Sequence, residues 1–250
     1  MNSISRRDLI RHSAVLGSAF AAALPLAGAE PSPAGTPRKL RIVVAGGHPG
    51  DPEYGCGGTI ARFADLGHDV ALLYLNRGDP NETATRPPIP VRTAEATDAC
   101  GILKARPLFA GQIDGHAIVD APHYEAFQKQ LEAERPDAVF THWPIDNHAD
   151  HRSMTLLVYE AWRRMGRRFA LYFYEVSNGE DTVQFAPTHR VDITATEPRK
   201  RRTCFAHASQ EPDRYYTLQE SVTRMRGIES GHRHAEAFAH HSQSPEIPLP

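Results

Sequence analysis

Three short runs of apolar, partly β-branched residues decide the class of fold. Residues 40–45, 70–75 and 137–141 are each five or six residues long, and a polar or glycine-rich loop follows each. A run that is apolar at successive positions suits a strand buried on both faces. Helical spacing appears between and beyond them, with Phe127 and Leu131 in 124–135 and Met154, Leu157, Val158 and Ala161 in 150–165. Strands alternating with helices make βαβ units and a mostly parallel sheet. The expected fold is therefore α/β, Rossmann-like and doubly wound, with helices on both faces of the sheet. Further helices are expected from Gly58-Thr59 to about Leu66, over 91–100, 197–206 and 217–229. Further strands are expected over 107–110, 170–176 and within 183–193. In a doubly wound order the first strand neighbours the strand at 137–141, and a crevice opens at their carboxyl ends, where ligands bind.

The 250 residues are 40% hydrophobic and 23% charged, an ordinary globular composition. We expect one domain over 39–250. Residues 1–29 read as a cleavable export signal of twin-arginine type. Ser5-Arg6-Arg7-Asp8-Leu9 precedes an apolar stretch over 14–26, and Ala27-Gly28-Ala29 is a cleavage site of the A-x-A kind. That stretch is shorter than the ~20 residues a membrane span needs, so the mature form is expected to have no stable span and to be periplasmic or secreted. Residues 30–38, rich in Pro, Ser and Gly, form a flexible lead-in. The charge is 28 − 30 = −2, which offers no field for nucleic acid. Three scattered cysteines without a C-x-x-C exclude a disulfide framework and a thiolate zinc site. Oligomeric state is not readable from the sequence.

The chemistry lies in the loops after the first strand and after the strand at 137–141. The first contains His48 and Asp51, three residues apart. The second contains Asp146, His148, Asp150 and His151, entering a helix. Two imidazoles and a carboxylate are a common set of catalytic zinc ligands, with the fourth position left to water. The glycines after Asp51 do not make a dinucleotide fingerprint, because Gly55-Cys56-Gly57-Gly58-Thr59-Ile60 has Ile where G-x-G-x-x-G needs its last glycine. Trp143, beside the second loop, is a candidate for stacking on a ligand, with core packing favoured. Arg77 and Asp79 follow the second strand at the same end of the sheet. The basic run 199–202 reads as a solvated helix face.

These loops resemble the PIG-L/LmbE-like N-deacetylases, which remove acetyl groups from N-acetylglucosamine derivatives. The family's A-H-P-D-D-x-E and G-x-G-G-T stand here as Gly47-His48-Pro49-Gly50-Asp51-Pro52-Glu53 and Gly55-Cys56-Gly57-Gly58-Thr59, and its H-x-D-H as His148-Ala149-Asp150-His151. Weaker agreement follows at Val191-Asp192-Ile193-Thr194, His207-Ala208-Ser209-Gln210 and from Gly231 to Phe238. The resemblance implies a zinc ion, or another divalent metal, on His48, Asp51 and His151. It implies that His148 stabilises the oxyanion or protonates the leaving amine, and that Asp150 orients a histidine. The implied substrate is a small-molecule or oligosaccharide amino sugar.

One position departs from the family pattern. The family's general base is the first Asp of the D-D pair, and here it is Gly50. Three readings follow. A substitute carboxylate reaches the water, with Asp146 first and Glu53 second. Or metal-bound hydroxide suffices alone. Or the protein is a metal-containing carbohydrate-binding protein with little or no turnover.

Overall fold

The computed structural model describes residues 38–78, 88–176 and 181–250. The expected export signal over 1–29, nearly all of the lead-in over 30–38, and Asp79 lie outside the described residues. The chain runs β1 (Arg41–Gly46), α1 (Asp51–Asp65), β2 (Asp69–Asn76), α2 (Ile89–Leu103), β3 (Arg106–Gln112), α3 (Ala121–Glu134) and β4 (Ala138–His142). It continues through α4 (Ala149–Arg164), β5 (Ala170–Tyr174), β6 (His189–Asp192), α5 (Glu197–Ala206), α6 (Pro212–Ser230) and β7 (Ala235–His240). The strands form one seven-stranded sheet in the order β3-β2-β1-β4-β5-β7-β6. The neighbours from β3 to β5 pair in parallel, and β7 runs antiparallel to both β5 and β6. As expected, β1 neighbours β4.

Alternation along each strand divides the core between the two faces. Ile42, Val44, Leu72 and Tyr74 pack against Cys56, Ile60 and Phe63 of α1 and Ala96, Cys100 and Leu103 of α2. Val43, Ala45, Leu73 and Leu75 pack against Phe127 and Leu131 of α3 and Met154, Leu157, Val158 and Trp162 of α4. Among the described residues no helix is long and apolar enough to cross a membrane.

Three expectations are corrected. Helix α1 begins at Asp51, not at Gly58. Pro52 occupies its first turn, where its missing N–H is no loss, and the Glu53 carboxylate accepts the Gly50 N–H at 3.2 Å. The glycines that suggested a loop lie within the helix because their neighbours come close. A Cβ at Gly55 would meet the Tyr174 ring at 2.4 Å, and one at Gly58 would meet Ile193 at 2.6 Å. Strand β7 was not foreseen. Its run Ala235-Glu236-Ala237 carries a charge that reads as surface, yet Glu236 is buried. Its carboxylate accepts the Gly58 and Thr59 N–H groups at 2.9 and 2.8 Å and pairs with Lys200 at 2.5 Å. The basic run 199–202 is accordingly not wholly solvated. Arg199 pairs with Asp65 near the surface, but Lys200 is 0% exposed.

Candidate metal centre

Both loops leave the carboxyl ends of adjacent strands, so they face each other across the crevice. His48 follows β1, and Asp51 is the first residue of α1, where a carboxylate suits the positive end of the helix. His148 caps α4 with its ring Nδ1, which accepts the Asp150 N–H at 3.2 Å. His151 lies one residue further into the same turn. One oxygen, Asp51 Oδ2, collects the ring nitrogens, with His48 Nδ1 at 3.3 Å and His151 Nε2 at 3.2 Å. Ligands on a tetrahedral metal with bonds of about 2.0–2.1 Å are separated by roughly 3.3–3.4 Å. Those two separations match that spacing.

The hydrogen-bond partners assign the ring protons. His151 Nδ1 lies 3.1 Å from Asp146 Oδ1, so the neutral ring carries its proton there and Nε2 is bare. His48 Nε2 lies 3.1 Å from Asp114 Oδ1 and 3.2 Å from Asp150 Oδ2, so its proton is on Nε2 and Nδ1 is bare. Two bare nitrogens therefore face one carboxylate oxygen. Lone pairs gathered in this way need a cation between them. With protons alone to provide it, both rings are driven to ionise. Burial opposes the charge on His151, but Asp51 and Asp146 outweigh it and raise the pKa to about 9. For His48 burial is likewise outweighed, by Asp51, Asp114 and Asp150, and its pKa is raised. Asp51 is pulled below the usual carboxylate range, since His151 and His48 overcome its burial.

A raised folded-state pKa adds stability that is complete below the unfolded value and lost as pH rises through the folded one. For His151 that window runs from 6.5 to about 9. The Tm of metal-free protein should fall as the pH is raised across it. Thermal scans of chelator-treated protein at pH 6.5 and 9 check this, and a Tm that rises instead contradicts the assignment.

Three donor triads lie mutually within 4.8 Å, namely His48–His148–His151, Asp51–His142–His151 and His48–Asp114–Asp150; the expected set His48–Asp51–His151 is not among them, and its two rings meet only through Asp51 Oδ2. Each of the three triads is compromised by a bond already made. His148 Nδ1 takes the Asp150 N–H. His142 Nε2 takes the Gly47 N–H at 2.9 Å. The proton on His48 Nε2 lies between the two carboxylates of the third set. His48 Nδ1 and His151 Nε2 keep bare lone pairs toward Asp51, and Asp150 Oδ1 is a further buried oxygen without a partner.

A family model described as PIG-L, GlcNAc-PI de-N-acetylase, matches residues 43–162, from β1 into the last turn of α4. Over those residues the chain carries a PIG-L family domain. The PIG-L match includes every residue expected at the site. Among curated relatives, the chain is 29% identical over 217 residues to the diacetylchitobiose deacetylase of Thermococcus kodakarensis, covering 76% of this chain and 79% of that protein. Among solved structures, a conserved protein of Thermus thermophilus has TM-score 0.71 and 28% identity, over 84% of this chain and 99% of that one. GalB, the 4-carboxy-2-hydroxymuconate hydratase of a Pseudomonas, has TM-score 0.72 at 20% identity, over 85% of this chain and 99% of that one. That last likeness concerns fold alone, and a fold does not decide its chemistry.

Within the PIG-L frame, neither proposed substitute for the missing base is free. Asp146 accepts from the His148 N–H at 2.8 Å, His151 at 3.1 Å and Thr182 Oγ1 at 3.0 Å, which places it behind His151 as an orienting carboxylate. Glu53 is buried, accepting from Tyr74 Oη at 2.6 Å, His207 Nε2 at 3.0 Å and the Gly50 N–H. It braces the loop. Gly50 has φ +117°, a conformation that L side chains rarely adopt. The glycine therefore belongs to the loop's shape as well as to its chemistry. Asp150 faces His48, and its Oδ2 also accepts from the Gly115 N–H and from Asn76. Trp143 is partly buried against the core, edge-on to Phe173 and Phe185. Arg77 is exposed and lies over the Phe109 ring.

Sequence reasoning missed Asp114, Asn76 and His142. Asp114 and Asn76 were findable, because both lie at the carboxyl ends of strands on the β2 side of β1, where polar residues gather around a ligand. His142 was hidden as the last residue of a buried strand.

Proposed function

We propose that the protein is an exported, metal-dependent N-deacetylase acting on an N-acetylated amino sugar. The observation that carries this reading is Asp51 Oδ2 lying within 3.3 Å of both His48 Nδ1 and His151 Nε2, with each ring's other nitrogen held by a carboxylate. The PIG-L match and the deacetylase among the chain's relatives support it. Zinc is the first choice of metal, since two nitrogens and an oxygen at this spacing suit it. Bound there, a divalent ion supplies a Lewis acid and a water of lowered pKa.

The chain's own residues do the rest. Asp146 keeps His151 in one tautomer, and Asp150 with Asp114 does the same for His48. His148 is half-buried beside both ligand rings, 4.6 Å from His48 and 4.7 Å from His151 between centroids. Burial lowers its pKa, and His48 and His151 add to the effect. With Nδ1 occupied by the Asp150 N–H, neutral His148 presents an Nε2–H donor. That suits an oxyanion developing on the amide carbonyl. Gly50 offers no proton acceptor, and Asp146 and Glu53 are occupied. A bound metal would therefore supply the activated water, with neither Asp146 nor Glu53 free to take its proton. Export makes a cell-envelope or environmental glycan the expected substrate.

The test is acetate release by zinc-reconstituted protein from a panel of N-acetylglucosamine mono- and oligosaccharides. Turnover that vanishes on chelation and returns with zinc is the expected result. Fully loaded protein that binds these sugars yet releases no acetate would favour the carbohydrate-binding reading, for which Gly50 is the motive.

A further inference from the structure

His142 belongs to neither family motif. It is fully buried at the end of β4, between the two ligand loops. It touches both loops. Its Nε2 accepts the Gly47 N–H at 2.9 Å, fixing the backbone from which His48 departs. Its ring lies flat on His151, with centroids 3.9 Å apart and planes 7° from parallel. The fit is close on the other side of the loop too, because a Cβ at Gly47 would strike His151 Cδ2 at 2.9 Å. His142 Nε2 is also 3.3 Å from Asp51 Oδ2. That contact is not a hydrogen bond, since the nitrogen's lone pair already receives the Gly47 N–H. The proton is then on Nδ1, which is buried and has no partner. A buried donor left unpaired is unfavourable. A leucine or phenylalanine would fill this space without it, and the imidazole is explained by the acceptor it presents to Gly47.

We propose that His142 is a positioning residue that ties the first ligand loop to the second, holding Gly47 by its ring nitrogen and His151 by its ring face, and so sets how tightly the metal is held. It is not itself a ligand. A ring that both accepts a hydrogen bond and stacks can serve the two loops at once, whereas an aliphatic side chain could serve neither.

The proposal rests on the metal-site reading above, and the test separates the two. Zinc affinity is measured by chelator competition on purified wild type, His142→Phe, His142→Gln and Asp51→Asn, with circular dichroism to confirm folding. His142→Phe keeps a flat ring on His151 but loses the acceptor. His142→Gln keeps an amide acceptor but loses the ring. Each should bind zinc about ten- to a hundredfold more weakly, the usual effect of losing a residue that orients metal ligands. The visible spectrum of the cobalt-substituted variants should differ from that of wild type. Asp51→Asn should bind none. If a folded His142 variant holds zinc within twofold of wild type while Asp51→Asn has lost it, the role of His142 is wrong and the site stands. If Asp51→Asn also holds zinc, the site itself is wrong. A readout on wild type covers the case in which neither variant folds. With ¹⁵N-histidine labelling, His142 should show a protonated Nδ1 and a bare, metal-free Nε2 when zinc is present. A zinc-bound Nε2 at His142 would make it a ligand and overturn the proposal.

Discussion

Asp51→Asn should empty the metal centre and lower acetate release at least about a thousandfold, since each tenfold in rate is about 1.4 kcal/mol and a metal supplies several. The expectation follows from one oxygen. Asp51 Oδ2 lies 3.3 Å from His48 Nδ1 and 3.2 Å from His151 Nε2, and also accepts the His48 N–H at 2.8 Å. Asparagine keeps the shape and removes the charge that offsets a cation. It also removes the main reason for either ring to hold an extra proton, so His48 and His151 should both titrate lower in the variant. The α1 start should survive, because Pro52 and the Glu53–Gly50 contact do not depend on the charge. Elemental analysis after dialysis, beside the acetate assay, checks the result. A variant that keeps the wild-type metal content would remove Asp51 from the site.

Lys200→Met should destabilise the domain by about 3–5 kcal/mol, the usual effect of leaving one member of a buried ion pair without its partner. For a domain of this size that corresponds to a Tm lower by roughly 6–20 °C. Lys200 and Glu236 are both essentially inaccessible, and the pair is 2.5 Å apart. Glu236 keeps its two backbone donors from Gly58 and Thr59 in the variant, but its charge is no longer balanced. Adding Glu236→Gln to Lys200→Met should restore part of the loss, because the amide is neutral and its oxygen still accepts one of the two α1 N–H groups, while its NH2 faces the other. Denaturant unfolding of the single and double variants measures this. Equal stability of Lys200→Met and wild type would mean that water or another cation reaches Glu236.

The sheet was legible wherever burial on both faces made an unbroken apolar run, as in β1, β2 and β4. Helix α5 was legible over its whole length, since Glu197 and Pro198 open it and its last turn precedes His207. The start of α1 was not, because glycine ordinarily signals a loop. The reasons for those glycines are a tyrosine on β5 and an isoleucine beyond β6, more than a hundred residues away. Strand β7 was invisible for a related reason, since a buried glutamate reads as surface until its lysine is found on another helix. At the site, the residues at i and i+3 within each loop were readable from spacing. Asp114 and His142 were not paired with them, because only the strand order brings them beside His48 and His151.

The bond from Glu236 to Gly58 spans 178 residues, and this bears on the order in which the molecule assembles. The loop carrying His48 and Asp51 is among the first parts of the domain to be synthesised. The carboxylate that anchors its helix arrives with the last strand, and that strand inserts between β5 and β6 rather than adding at an edge. Contacts of such long range form slowly, because their closure entropy must be met before they return any stability. A chain still emerging from the ribosome thus carries the loop of His48 and Asp51 ahead of a helix that lacks this anchor. Tight metal capture belongs to the completed chain, and a premature stop between His151 and Ala235 leaves a polypeptide with every proposed ligand residue but without the strand that anchors α1.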